Sequence, residues 1–199
     1  MTAQPLPPTP SSSEFEHPLT IDDYAALGEA DHGRVELQEG SLVMSPSPTP
    51  DHNVAGLALA MAIAAQLPAH LEVVPDVDVD LELVGRGDPA TARRPDLVVI
   101  DRSVRPHVRA EGGMIRASEV LIAIEIVSAG SRRTDNIVKR AEYGDAGIPH
   151  YWIVDLDDPV TLLACDLTDE FGYRDSGVVK GRFASSVPFE VAVELDRLV

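Results

Sequence analysis

Within this 199-residue chain, the segment Val120-Leu-Ile-Ala-Ile-Glu-Ile-Val constrains the fold more than any other. Its β-branched side chains favour a strand, and the lack of polar alternation predicts burial on both faces. Glu125 sits inside that run. An ionised carboxylate there is costly unless it is paired, hydrogen-bonded or bound to a cation. A second run of the same character, Pro95-Asp-Leu-Val-Val-Ile, opens on Asp96. If the two strands are neighbours, Asp96 and Glu125 converge on one cation at the strand ends. Strands buried on both faces need helices above and below, so the expected fold is α/β, a central mixed sheet flanked by helices.

The flanking segments agree with that architecture. Thr20 and Asp23 form an N-terminal cap for a short helix through Leu27. The alternation from Arg34 to Met44 breaks at Glu39-Gly40, which predicts a hairpin and places Glu36 between Val35 and Leu37. The proline-rich loop Ser45 to Pro50 leads into an Ala/Leu-rich helix from Asp51 to Leu67, expected to be buried or to meet a second subunit. His52 stands at its start. Residues Leu71 to Val84 alternate Val and Leu with Asp and Glu, the pattern of one long strand with a wet face. Ser131 opens a helix through Ala146, stopped by Gly147, and Pro149 to Asp155 reads as a buried strand in which Tyr151 and Trp152 pack inward. From Val160 to Leu195 the pattern is of antiparallel strands with glycine turns. The first seventeen residues, rich in Pro, Ser and Thr, are expected to be a disordered arm, which leaves residues 18–199 as a single domain.

Composition narrows the chemistry. The longest nearly apolar run, Val54 to Leu67, is too short for a bilayer, so a soluble, cytoplasmic protein with no membrane partner is expected. A single cysteine, Cys165, excludes an intrachain disulfide and a thiolate metal cluster, so any metal is held by oxygen or imidazole. The net charge of −17 argues against a generally basic nucleic-acid-binding surface. The cations are unevenly placed, however. Arg86 to Arg140 holds eleven of the 16 Lys and Arg and seven of the 33 Asp and Glu, a net +4 that allows a local basic face.

Pro95-Asp96 followed by Glu125-Ile126-Val127 resembles the PD-(D/E)XK nuclease signature, a carboxylate on one strand with a carboxylate and a lysine two residues apart on the next. The chain also resembles the Uma family of bacterial restriction-endonuclease-like proteins. The matching stretches are Glu36-Leu-Gln-Glu-Gly-Ser-Leu-Val-Met-Ser-Pro-Ser-Pro with His52, Arg94-Pro-Asp-Leu-Val-Val, Ile124-Glu-Ile-Val-Ser with Asp135 and Lys139, and Gly147-Ile-Pro-His-Tyr-Trp-Ile-Val-Asp. They span roughly Thr20 to Asp155, and their joint order is more specific than any one of them. The sequence departs from the superfamily signature at Val127, where a lysine is expected. The resemblance implies that the lysine comes from the following helix, as Lys139. Lys139 and Lys180 are the only lysines, beside fourteen arginines.

The resemblance implies a restriction-endonuclease-like fold and hydrolysis of phosphodiester bonds in nucleic acid, DNA foremost. Asp96 and Glu125 would hold Mg2+ or Mn2+, Glu36 would be a further or outer ligand, Lys139 would stabilise developing negative charge, and His52 would line the site. A homodimer is also implied. Each residue has a plainer reading: Asp96 as a turn cap, Glu36 on an edge strand facing solvent, Asp135 and Lys139 as an exposed helix pair, His52 at the surface. Two other functions stay open, a catalytically degenerate binding or regulatory module on the same fold and a metal-dependent hydrolase of another phosphoester.

Overall fold

In the computed structural model, residues 17–27, 35–45, 47–128, 130–169 and 172–199 are described. The arm expected over residues 1–17 lies, apart from His17, outside the described residues, as does Arg34. Helix α1 (Ile21–Leu27) is fixed at its start by a reciprocal cap. The Thr20 N–H and hydroxyl both donate to Asp23, at 2.9 and 2.7 Å, and the Asp23 N–H returns to Thr20 Oγ1 at 3.2 Å. Strands β1 (Val35–Gln38) and β2 (Ser41–Met44) form the expected hairpin. It turns through Glu39 and Gly40 at φ 49° and 77°, the paired left-handed conformation that suits a two-residue turn between twisted strands. Thr49 then caps α2 (Pro50–Ala64) by accepting the His52 N–H.

The long strand expected from Leu71 to Val84 is two. Strand β3 (Leu71–Pro75) ends at Asp76, whose φ of 50° turns the chain out of extended geometry, and β4 (Val79–Asp80) joins a different sheet. Strand β5 (Ala92–Arg93) then leads into β6 (Leu97–Asp101), α3 (Val104–Glu111), β7 (Ile115–Arg116) and the eight-residue β8 (Val120–Val127). A π-helical turn, Thr134–Lys139, runs directly into α4 (Arg140–Asp145). Strand β9 (His150–Asp155) precedes β10 (Thr161–Thr168), β11 (Gly172–Lys180), β12 (Arg182–Ser185) and β13 (Val191–Glu194).

The central sheet has the order β11-β10-β9-β8-β6-β3 and is mixed, because β8 and β9 run parallel while its other pairs are antiparallel. A second sheet, β2-β1-β5-β4-β7, stands beside it, and β12 pairs with β13 alone. The apolar runs sit where their composition demands. Every residue of β8 except Leu121 is buried, and it lies between β6 and β9. One face of the sheet packs on α2 through Ile122, Ile124 and Ile126, with Trp152 and Phe183 edge to face, their ring centroids 5.1 Å apart. The other face, carrying Ala123, Val127 and Tyr151, packs on Val104 of α3 and Tyr143 of α4. Tyr151 and Trp152 are thus core residues, as expected. Helix α2 is not buried all round. It buries the stripe Ala55, Leu59 and Ile63 and leaves Val54, Leu57 and Met61 exposed, since only one face of a surface helix meets the sheet. None of the helices among the described residues is long and apolar enough to cross a membrane.

Candidate active site

The chain passes from the second sheet to the central one through Arg93-Arg94-Pro95-Asp96, and the candidate residues gather at that seam. Strands β6 and β8 are antiparallel neighbours with Leu97 opposite Ile124, so the next position of the register sets Asp96 opposite Glu125. Both carboxylates lie on the sheet face that meets α4, and both line one cavity of about 390 Å3. Asp96 does not merely cap a turn. Its Oδ2 accepts the Ile126 N–H at 2.7 Å, tying it to β8, and His52 Nε2 lies 3.2 Å from the same oxygen. The His52 side chain is 13% exposed and lines the cavity from the first turn of α2, so it is not a surface histidine.

Glu125 is 3% exposed. Its Oε1 accepts the Lys139 ammonium at 2.9 Å and the Tyr143 hydroxyl at 2.7 Å. Lys139 also lies 3.1 Å from Glu36 Oε1 and 3.9 Å from Asp135 Oδ1. Asp135 and Lys139 are therefore not an exposed helix pair; both are buried, and the wide π turn stacks them on the face that α4 continues with Tyr143. Glu36 does not face solvent either. Its Oε1 also accepts the Arg94 N–H at 2.9 Å, and its Oε2 accepts from Arg93 at 3.2 Å. Arg93 in turn holds Glu142 with two bonds of 2.7 Å.

This arrangement sets the electrostatics. Burial pushes Glu125 well above the ordinary carboxylate range, opposed by Lys139 and reinforced by Asp96, Asp135 and Glu36. Asp135 is raised for the same first reason. Burial also works against Glu36, but Lys139, the Arg94 N–H and Arg93 outweigh it and hold that carboxyl below its usual value. For Lys139, burial is overcome by Glu125, Glu36 and Asp135, which keep it charged. The cavity thus has more carboxylate than cation. Among the described residues no three His, Cys, Asp or Glu are grouped to close around one metal ion. Asp96 and Glu125 offer two oxygen-donor side chains facing an open cavity, a donor set that fits a hard divalent cation keeping several of its waters.

Among the described residues, most cations of the stretch from Arg86 to Arg140 do not stand free to form a basic face. Eight of its eleven cations are taken up in ion pairs: Lys139, Arg93 and Arg94 inside the molecule, Arg86 with Asp22, Arg102 and Arg105 with Glu72, Arg132 with Asp155 and Asp157, and Arg140 with Asp175. Arg109, Arg116 and Arg133 form none among the described residues.

The family described as Uma2, putative restriction endonuclease, matches this chain over residues 21–195. The chain belongs to the Uma2 family. A solved structure from Anabaena variabilis, described as a putative nuclease belonging to DUF820, is similar with a TM-score of 0.67. The identity is 18%, over 91% of this chain and 97% of that one, a likeness of fold. No curated protein matches. The α/β nuclease-type fold expected from the sequence is therefore the fold of this Uma2 chain.

Several residues of the candidate site carry weaker marks in the sequence. Arg93 carried no signal beyond its place before Arg94-Pro-Asp, because both residues of the two-residue β5 are buried and no alternation marks it. Tyr143 lies four residues after Lys139, on the same helix face as Asp135 and Lys139. Glu142, the partner of Arg93, has no local signal, because only the fold brings it there.

Proposed function

We propose that this chain is a metal-dependent nuclease that hydrolyses phosphodiester bonds of nucleic acid, DNA foremost, with Mg2+ or Mn2+ as its cofactor. The observation that carries this reading is the meeting of Asp96 and Glu125 on adjacent strands, in one cavity with Lys139 2.9 Å from Glu125. Asp96 and Glu125 would hold the cation. When bound, such a cation supplies Lewis acidity toward a phosphoryl oxygen and lowers the pKa of water enough to give hydroxide near neutral pH.

The chain's own groups do the rest. Lys139 provides a fixed positive charge beside the carboxylates, placed to stabilise negative charge developing on the phosphate and to orient the attacking water. Glu36 has both oxygens bonded, so its role is that of an outer carboxylate that holds Lys139 and Arg93 in place. Tyr143 fixes one oxygen of Glu125 and leaves the other for the cavity. His52 and the Ile126 N–H together lock the Asp96 carboxylate in orientation. A cytoplasmic location and a homodimer complete the proposal, both resting on composition and family resemblance; light scattering that finds only a monomer removes the dimer.

The test uses the purified full chain on plasmid and single-stranded DNA, with Mg2+, with Mn2+ and with a chelator. Cleavage should require the metal and fall more than about 100-fold in Asp96→Ala, beyond the usual loss for an outer-sphere partner. Equal activity in the variant would rule the site out. The scarcity of unpaired cations favours a second reading, a binding or regulatory module on a degenerate nuclease fold. Calorimetric titration with Mg2+ separates the two, because a degenerate site binds no metal through Asp96 and Glu125. Activity on small phosphodiesters alone would point instead to a hydrolase of another phosphoester.

A further inference from the structure

A second cavity of about 650 Å3 lies behind the candidate active site. It exceeds the 390 Å3 of the active-site cavity and falls in the size range of small-molecule sites. Its body is apolar, with walls from Val35, Val74, Val108 and Met114. Its polar groups are three guanidiniums, Arg94, Arg105 and Arg109, two carboxylates, Asp76 and Asp78, and the Tyr24 hydroxyl.

The guanidiniums along the wall keep hydrogen-bond donors to spare. Asp78 Oδ1 accepts from Arg94 Nε at 2.9 Å and from the Tyr24 hydroxyl at 3.2 Å, and its Oδ2 accepts from Arg94 at 2.7 Å. Arg94 and Arg105 each spend two donors on one carboxylate, and a guanidinium has five. Arg109 forms no ion pair among the described residues. Donors of Arg94, Arg105 and Arg109 thus remain beside an apolar hollow. The wall is shared with the active site. The Arg94 side chain faces this cavity while its N–H bonds Glu36, and the Asp76 N–H donates to the Asp96 carbonyl at 3.1 Å.

We propose that this cavity binds a small molecule with an apolar body and one anionic head group, back to back with the Asp96–Glu125 site. The guanidiniums of Arg109 and Arg105 take the head, and the valines take the body. The readout is binding, so the result does not depend on whether the chain cleaves DNA.

The probe is 8-anilinonaphthalene-1-sulfonate, titrated into the full chain by calorimetry and fluorescence. One molecule should bind per chain, saturably. Arg109→Glu and Ala25→Phe, both at exposed lining positions, should each weaken binding at least about tenfold, roughly 1.4 kcal/mol, without moving the melting temperature. The same ring system without the sulfonate, N-phenyl-1-naphthylamine, should bind at least about tenfold more weakly. Absence of saturable binding overturns the proposal. So does affinity that neither variant changes, which would place the dye on the exposed apolar side chains of α2, and so does equal affinity for the uncharged ring system.

Discussion

Lys139 faces three carboxylates at once, Glu125, Glu36 and Asp135, and only 6% of it reaches solvent. Removing one member of a buried ionic cluster leaves the others uncompensated, a loss of about 3–5 kcal/mol. Lys139→Met should therefore lower unfolding free energy by that amount in denaturant titrations, besides any effect on activity. A different carboxylate sets an acid limb for stability. Glu72 accepts two bonds from Arg105, at 2.5 and 2.8 Å, and these hold its carboxyl below its ordinary value of 4.5 against the opposing effect of burial. A carboxyl lowered on folding contributes stability above its unfolded value, and that contribution disappears as pH falls through the lowered one. Glu72→Gln should thus melt below the parent protein at pH 7, and the gap should close as the pH drops beneath 4.5. At this scale the sequence was readable where a charge sat inside an apolar run, as at Glu125 and Asp96. Glu36 and His52 were ambiguous, because their burial comes from partners more than forty residues away.

Among the elements, the β1–β2 hairpin positions Glu36, and its turn depends on Gly40. At φ 77° a side chain is strained, and a Cβ there would stand 2.6 Å from the Pro18 Cβ and 2.9 Å from that of Pro89. Gly40→Ala should cost about 1–3 kcal/mol, read as a lower midpoint in denaturant, and should loosen the strand that carries Glu36. The hairpin, β6, β8 and β9 were legible because burial on one or two faces writes itself into residue order. The break after β3 was not. Asp76 tolerates a left-handed conformation with little cost, so strict Val/Asp alternation runs unchanged through a turn that sends β4 to another sheet. The two-residue β5 is too short to show any period, though it delivers Arg93 to the site.

For the whole molecule, the net charge of −17 and the pairing of most cations leave little to hold a polyanion. Only Arg109, Arg116 and Arg133 of the stretch richest in arginine stay outside ion pairs among the described residues. Affinity for DNA measured by anisotropy without divalent metal should therefore be weak. Its logarithm should fall against that of salt concentration with a slope of magnitude on the order of 3 or less, since each neutralised phosphate contributes about 0.9. Binding by a protein of this charge would lean on the cation proposed at Asp96 and Glu125 rather than on a basic surface. One further property follows from the place of Lys139. The ammonium rides on the π-helical turn and its main partner on β8, so they meet only while that turn and α4 stay seated on the sheet. Warming that lifts this one segment would part the ammonium from its carboxylate while the strands remain intact, so the candidate site would come apart before the sheet that carries it.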